Sequence, residues 1–301
     1  MSKKTVLVSG ANGFLGKALV KQLLESNNYN TIALTSEVKK LQSYFTDHSN
    51  LTVLNVSDWK KEINRMTNID VLINCAFPRA SNPRKLAEGL DFTEKLIRDA
   101  IDINIDSVIN ISSQSVYSQK AKSSPDEFAE VAPESLYGMA KYASEKIVAS
   151  LCDSEINYSN IRIASLTGPD LEARMTNKFV KNALDGEKIT VNGRGQKVSY
   201  LDVKDAASAL MSMVKKDSCE WNTVYNLGNI HYYSVFEIAE TVRETAKKYS
   251  IADVNIEVYE GNDSFNNLIN SDLFYNDFEW KPNYSIPLVV EYLFNYYKNK
   301  M

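Results

Sequence analysis

Val6-Leu7-Val8-Ser9-Gly10-Ala11-Asn12-Gly13-Phe14-Leu15-Gly16 runs from an apolar stretch directly into a glycine-rich turn. The apolar residues read as a buried strand over 4–9, and the segment from Gly13 to about Ser26 reads as the helix that follows. Glycines at 10, 13 and 16 permit a tight turn and a close approach of backbone to a pyrophosphate. A helix that opens there supplies free N–H groups and partial positive charge. Asn12, Phe14 and Leu15 complete the candidate phosphate-binding turn. Taken alone, the same spacing also suits a glycine turn that holds no ligand.

Outward from this unit the alternation continues. Residues 30–34, 51–56 and 70–76 read as strands, the last a nearly continuous apolar run suited to burial on both faces. Residues 85–103 read as a long helix, 107–112 as a fifth strand, 137–151 as a second long helix and 158–164 as a sixth strand. Strands and helices in rotation predict an α/β doubly wound parallel sheet with right-handed crossovers. After about Ser165 the rotation loosens. Loops over 167–174 and 192–197 interrupt it, and the remaining helices fall near 177–184, 235–249 and 287–297.

Tyr137 and Lys141 lie four residues apart in Tyr137-Gly138-Met139-Ala140-Lys141. Residues at that spacing share a helix face. The Lys141 ammonium is expected near the Tyr137 phenol, favouring the phenolate and lowering a pKa that starts near ~10. Such a phenol exchanges protons with a carbinol or carbonyl oxygen. A tyrosine in a helix is more often core, and a lysine more often surface, but the glycine turn upstream gives this pair a dinucleotide to serve.

These segments together resemble the extended short-chain dehydrogenase/reductases, in particular the sugar-nucleotide epimerase/dehydratase family. The likeness extends through Ile111-Ser112-Ser113-Gln114-Ser115-Val116-Tyr117, Gly193-Arg194-Gly195-Gln196, Asp202-Val203-Lys204-Asp205, Tyr225-Asn226-Leu227-Gly228 and Trp280-Lys281-Pro282. It implies a Rossmann-type domain over 1–165 and a smaller, mainly substrate-binding lobe over 166–301. Segments near 198–214 and 223–228 are expected to return to the Rossmann domain.

The resemblance also assigns roles. Ser113 takes the place of the catalytic Ser/Thr and steadies the substrate oxygen against Tyr137, with Ser112 and Ser115 close enough to compete for that role and turn chemistry the ordinary reading of Ser112; Lys141 additionally bonds the nicotinamide ribose. Asn55 and Val56 flank the adenine, and Cys75, Ala76 and Phe77 lie beside the pyrophosphate and ribose. Ser115, Ser165, Arg174 and Arg194 are the candidate substrate contacts. A 4,6-dehydratase needs an Asp-Glu pair after the catalytic Ser/Thr, where this chain has Gln114 and Ser115, so dehydration is not expected. Several departures weaken a diphosphate grip. Ser165 replaces the usual Asn, Val198 a frequent arginine, and no arginine stands near Glu260-Gly261-Asn262-Asp263. Gly89 stands where many members have an active-site asparagine.

The second strand ends Leu34-Thr35-Ser36-Glu37 without the acid that accepts from the adenine ribose of NAD. Thr35, Ser36 and Lys39 suit a 2′-phosphate, which points to NADP. Glu37, one position late, is the acceptor if the cofactor is NAD.

Bulk properties set the remaining bounds. The chain has 301 residues, a formal net charge of −4 and 44% hydrophobic residues, values ordinary for a soluble globular protein. No basic footprint points to nucleic acid or an anionic membrane surface. Cys75, Cys152 and Cys219 form no C-x-x-C and read as buried reduced thiols, consistent with a cytoplasmic protein. His48 and His231 lack ligand-like spacing, so no metal site is expected. No run approaches the ~18 apolar residues of a membrane span, and no signal peptide is read at the N-terminus. By resemblance, a homodimer through the helices over 85–103 and 137–151 is expected. Three functions remain open: a nucleotide-sugar 4-epimerase or 4-keto reductase, an NADPH-dependent reductase of another carbonyl compound, and a dinucleotide sensor without turnover.

Overall fold

The computed structural model describes residues 3–63, 68–120, 123–152, 156–251, 253–261 and 266–300. Lys4–Ser9 (β1) buries Val6, Leu7 and Val8 completely. Side chains alternate across a strand, so Val6 and Val8 enter one apolar layer while Leu7 enters the other. Burial on both faces requires helices above and below. Phe14–Ser26 (α1) covers one face of the sheet, and Pro83–Ile101 (α4) and Leu136–Cys152 (α5) cover the other.

The remaining strands of the sheet are Tyr29–Thr35 (β2), Leu51–Asn55 (β3), Val71–Asn74 (β4), Ser107–Ser113 (β5), Asn157–Ile163 (β6) and Val224–Leu227 (β11). They lie in the order β11-β6-β5-β4-β1-β2-β3, all parallel. The chain reverses direction of travel between β1 and β4, and ligands of such sheets bind outside the strand ends at that switch point. Short helices Val38–Tyr44 (α2) and Trp59–Ile63 (α3) sit among the first crossovers.

Beyond β6 the chain builds Ser165–Thr167 (β7), Met175–Leu184 (α6), Ile189–Asn192 (β8), Lys197–Val198 (β9), Tyr200–Asp202 (β10) and Val203–Lys215 (α7). Past β11 come Tyr233–Ser234 (β12), Val235–Lys247 (α8), Ile256–Tyr259 (β13), Asp272–Phe278 (α9) and Ile286–Lys298 (α10). Helices α6, α8 and α10 close a second core around Val180, Ile189, Ile238, Val242, Val290 and Phe294. This is the smaller lobe. Segment 223–228 enters the main sheet as β11, whereas 198–214 does not. Its strand β10 pairs with β7, and α7 packs on α1.

Several boundaries differ from the sequence reading for identifiable reasons. Helix α4 starts at Pro83, because Asn82 caps it by accepting from Arg84 N at 3.0 Å and proline suits the first turn. Strand β4 stops at Asn74, whose Oδ1 accepts from Ala76 N at 3.3 Å. The same asparagine belongs to a buried polar ladder that runs across the sheet. Ser9 Oγ donates to Asn74 at 2.6 Å, Asn74 to Asn110 at 3.1 Å and Asn110 to Asn160 at 2.9 Å, each pair in register. The strands β8 and β13, which pair in parallel, were not legible from local pattern. Of the cysteines, Cys152 is buried and Cys75 half-buried, but Cys219 is exposed in a turn, contrary to expectation. Among the described residues no helix is long and apolar enough to cross a membrane.

Candidate active site

The turn after β1 lies at the switch point. Gly10 has φ +66°, and a Cβ there would sit 2.8 Å from Ala76 N. A Cβ on Gly16 would sit 2.2 Å from Gly10 O. Both glycines are therefore required by close backbone approach. Gly13 begins α1 and offers its first turn no side-chain acceptor, an arrangement that leaves helix N–H groups for an anionic ligand. The cradle thus fits a dinucleotide pyrophosphate.

A cleft of roughly 490 Å³ leads from this turn along the ends of β2 and β3, a size usual for a cofactor site. Gly10, Asn12, Gly13, Thr35, Ser36, Val56, Ala76 and Phe77 line it, as do Glu37, Pro78 and Gly89. Asn12 Nδ2 donates to Thr35 Oγ1 at 2.9 Å and to Glu37 O at 3.2 Å, fixing the turn to the end of β2. Three cofactor residues named from the sequence, Gly16, Lys39 and Asn55, line neither this cleft nor the pocket that adjoins it, and Gly16 is buried within α1. Lys39 is exposed on α2, and Asn55 Oδ1 accepts from Ser57 N and Oγ in a local turn. Glu37 is in the lining, and its carboxylate pairs with Lys40 at 3.1 Å. Gly89 admits no side chain, since a Cβ would stand 2.5 Å from Pro78 Cδ. The place of the expected asparagine is filled by proline.

A second pocket of about 350 Å³ adjoins the first through Gly13 and Phe77. Phe14, Leu15, Cys75, Ser113, Ser115, Tyr137, Lys141, Ser165 and Arg174 line it, so most of the residues singled out from the sequence converge here. Tyr137 stands in the first turn of α5 and lines the pocket together with Ser113 at the end of β5. Ser113 Oγ also donates to Ser115 Oγ at 3.1 Å. The neighbouring Ser112 hydroxyl is instead engaged by Glu145, itself clamped by Arg162 at 2.8 Å in a buried ion pair. Both serines border the pocket, but the Ser112 hydroxyl is committed to Glu145 while the Ser113 hydroxyl lies beside Ser115.

Charge in the pocket differs from the sequence expectation. Burial holds the Tyr137 phenol above its ordinary range, opposed by the cations Arg79 and Arg174 and by the nearby Ser113 hydroxyl. Lys141 does not supply the offset. Its ammonium donates to Ile111 O at 2.6 Å and lies 4.1 Å from the centre of the Phe77 ring. Desolvation lowers Lys141 to about 7, opposed by Cys75 and Glu145. Cys75 is pushed up to about 12 by burial, so its thiol stays protonated beside the lysine.

Arg194 is not brought to this pocket; it is exposed and its guanidinium lies 4.2 Å from the Phe236 ring centre. Asn262 and Asp263 lie outside the described residues. Sequence reading missed Arg79, which follows the strand-end run Ala76-Phe77-Pro78. An arginine just past the switch-point strand was the available signal. Gln114, named only as a missing acid, donates to Ser165 Oγ at 3.3 Å while its own Oε1 is buried without a partner.

The family model for NAD dependent epimerase/dehydratase proteins matches residues 6–228. The bifunctional polymyxin resistance protein ArnA of Wigglesworthia glossinidia brevipalpis is 26% identical over 79% of the chain, which spans 41% of that protein's length. The UDP-N-acetylglucosamine 4-epimerase of Methanobrevibacter ruminantium M1, solved in complex with UDP-N-acetylmuramic acid, superposes with a TM-score of 0.83. It is 21% identical and covers 100% of both chains. The dTDP-glucose 4,6-dehydratase of Bacillus anthracis str. Ames, solved in complex with NAD, also gives 0.83, at 22% identity over 98% of this chain and 97% of its own.

Proposed function

The chain belongs to the NAD dependent epimerase/dehydratase family, and from that premise we propose that it is an NAD-binding 4-epimerase of a nucleotide sugar. The observation that carries this reading is that Ser113, Tyr137 and Lys141 line one pocket, continuous with the dinucleotide cleft. Gly10, Gly13 and Gly16 would admit the pyrophosphate and Glu37 the adenine ribose. Lys141, fixed by Ile111 O, would reach the nicotinamide ribose. When bound, the nicotinamide supplies a hydride acceptor and donor at the sugar carbon. Tyr137 exchanges the matching proton with the oxygen on that carbon. Ser113 donates to the same oxygen and holds it in line.

NAD is preferred over the NADP expected from the end of β2 because Glu37 lines the cleft while Lys39 does not. A carboxylate there accepts from a ribose hydroxyl and repels a 2′-phosphate. Glu37→Ser should therefore raise the affinity for NADPH relative to NADH by roughly tenfold, the size of one charge-assisted hydrogen bond. Titration of both nucleotides by fluorescence tests this, and an unchanged ratio would mean that the 2′ position is read elsewhere.

Gln114 argues against elimination across C5, since an amide cannot take up the C5 proton. A 4-keto reductase would use the same residues with exchangeable cofactor. Reduction of a carbonyl compound that is not a nucleotide sugar is the second reading, favoured by Ser165 and Val198 where diphosphate ligands are expected. A homodimer through the outer faces of α4 and α5 is part of the proposal and is checked by light scattering. The decisive experiment is to purify the protein, identify any retained dinucleotide, and follow UDP- and dTDP-hexoses by NMR. Retained NAD with interconversion of C4 epimers is expected. An empty protein that consumes NADPH with simple ketones would replace the epimerase by a reductase.

A further inference from the structure

Phe77 and Gly13 stand in the walls of both the cofactor cleft and the catalytic pocket, and of the two only Phe77 has a side chain. Lys141 lines the catalytic pocket alone. Its ammonium lies 4.1 Å from the centre of the Phe77 ring while donating to Ile111 O at 2.6 Å. The same ring meets Tyr137 edge-on, with centroids 6.3 Å apart. It is braced from behind by α4. A Cβ on Gly89 would stand 3.2 Å from Phe77 Cε2 and 2.5 Å from Pro78 Cδ, so the glycine leaves its space to the ring and the proline beside it.

The lysine has few other supports. It is buried, and the carboxylate one turn further along α5, Glu145, is taken by Arg162 at 2.8 Å and by Ser112. Cys75, at the end of β4, is pushed up to about 12 by burial and stays a neutral thiol. Tyr137, one turn earlier on α5, is likewise kept neutral by burial. The ammonium charge therefore rests on one carbonyl and one ring face. A ring face attracts a cation through its quadrupole, and more strongly where water is excluded. An aliphatic side chain in the same place would fill space without that attraction.

We propose that Phe77 is a positioning residue that acts through Lys141: its ring face keeps the ammonium charged and seated against Ile111 O at the boundary between the two pockets. The contact exists before any ligand arrives, so it does not depend on which sugar is bound. It rests on the reading above only for the nicotinamide ribose as the partner of Lys141. A dinucleotide entering along the cleft passes Phe77 to reach the lysine, which the ring holds ready on the catalytic side. Without the ring, the lysine would give up its proton at lower pH and lose its fixed place in the wall.

Proton NMR of the Lys141 ε-methylene group, followed over pH in the ligand-free protein, tests this; its signal is the one absent from Lys141→Met. The wild-type midpoint is expected near 7. In Phe77→Leu it should fall by roughly one pH unit, the scale of a dehydrated cation–ring contact. Phe77→Tyr keeps the ring and should keep the wild-type midpoint. An unchanged midpoint in Phe77→Leu overturns the proposal. So does a midpoint that rises, because the ring would then act only by excluding water. If Phe77→Leu fails to fold, the wild-type protein still decides. The ring should displace the ε-methylene protons upfield, both in the free protein and with NAD bound. No displacement, or its loss on adding NAD, overturns the positioning role. The titration uses neither sugar nor dinucleotide, so the epimerase reading can fail while this result stands.

Discussion

Tyr137 and Lys141 are neighbours on one helix face, yet their environments are set by different partners. Tyr137 meets Ser113 and the field of two arginines, whereas Lys141 is turned to a carbonyl and an aromatic ring. Tyr137→Phe removes the exchangeable proton and little volume. Turnover should fall by about 10²–10⁴, the usual range for a lost general acid–base, while NAD affinity measured by titration changes less than about twofold. Retained turnover would remove Tyr137 from the mechanism. Lys141 offers a stability test. Its proton is lost near 7 in the folded chain and near 10.5 in the unfolded chain. Between these values the unfolded state binds more protons, so stability rises with pH, by up to about 1.4 kcal/mol per pH unit. Below pH 7 both states hold the proton, and the cost of the buried ammonium is complete. Urea unfolding at pH 7, 8 and 9 should show the wild-type protein gaining on Lys141→Met as pH rises. A constant difference would mean that the lysine is not desolvated.

At the scale of elements, the approach of α5 to the end of β5 sets the distance between Tyr137 and Ser113. Gly138 makes that approach possible, since a Cβ there would lie 2.2 Å from Ser115 O, a backbone atom that cannot rotate away. Helix propensity alone says that Gly138→Ala stabilises α5 by about 1 kcal/mol. The clash should win, because a shift of α5 disturbs contacts along its whole buried face. The expected outcome is a fall in kcat of at least about tenfold, the scale on which small misplacements act, with a lowered Tm and a smaller change in NAD affinity. A raised Tm with unchanged kcat would show that α5 has room to spare.

At the scale of the whole molecule, the two lobes are tied by polar contacts that no local pattern announces. Asp205 on α7 accepts from Asn283 N at 3.0 Å and Tyr284 N at 2.8 Å, anchoring the approach to α10. Burial holds its carboxyl above the ordinary carboxylate range. Within the smaller lobe, Asn177 Nδ2 on α6 donates to Gly168 O at 2.9 Å and to the Tyr297 hydroxyl at 3.0 Å. Arg174 caps the start of α6 and lines the catalytic pocket, so a loosened lobe should also displace it. Asp205→Ala leaves two backbone N–H groups unpaired and should cost on the order of 3 kcal/mol. Chemical denaturation would read that loss, and a cost under about 0.5 kcal/mol would mean that water replaces the carboxylate without penalty.

The sequence by itself determined the succession of strands and helices through β6, the glycine turn and the placing of Tyr137 and Lys141 one turn apart on a helix. Each is written in short-range spacing, a period of two or of about 3.6, or a turn that only glycine tolerates. Tertiary structure alone decided which cations face the phenol, which of two adjacent serines is committed to Glu145, and that Arg194 points away from the pocket. It also decided that Asn74, Asn110 and Asn160 form one ladder and that Glu37 rather than Lys39 lines the cofactor cleft. These features join residues far apart in the chain, and their energies depend on desolvation and on direction, which no run of neighbouring residues encodes.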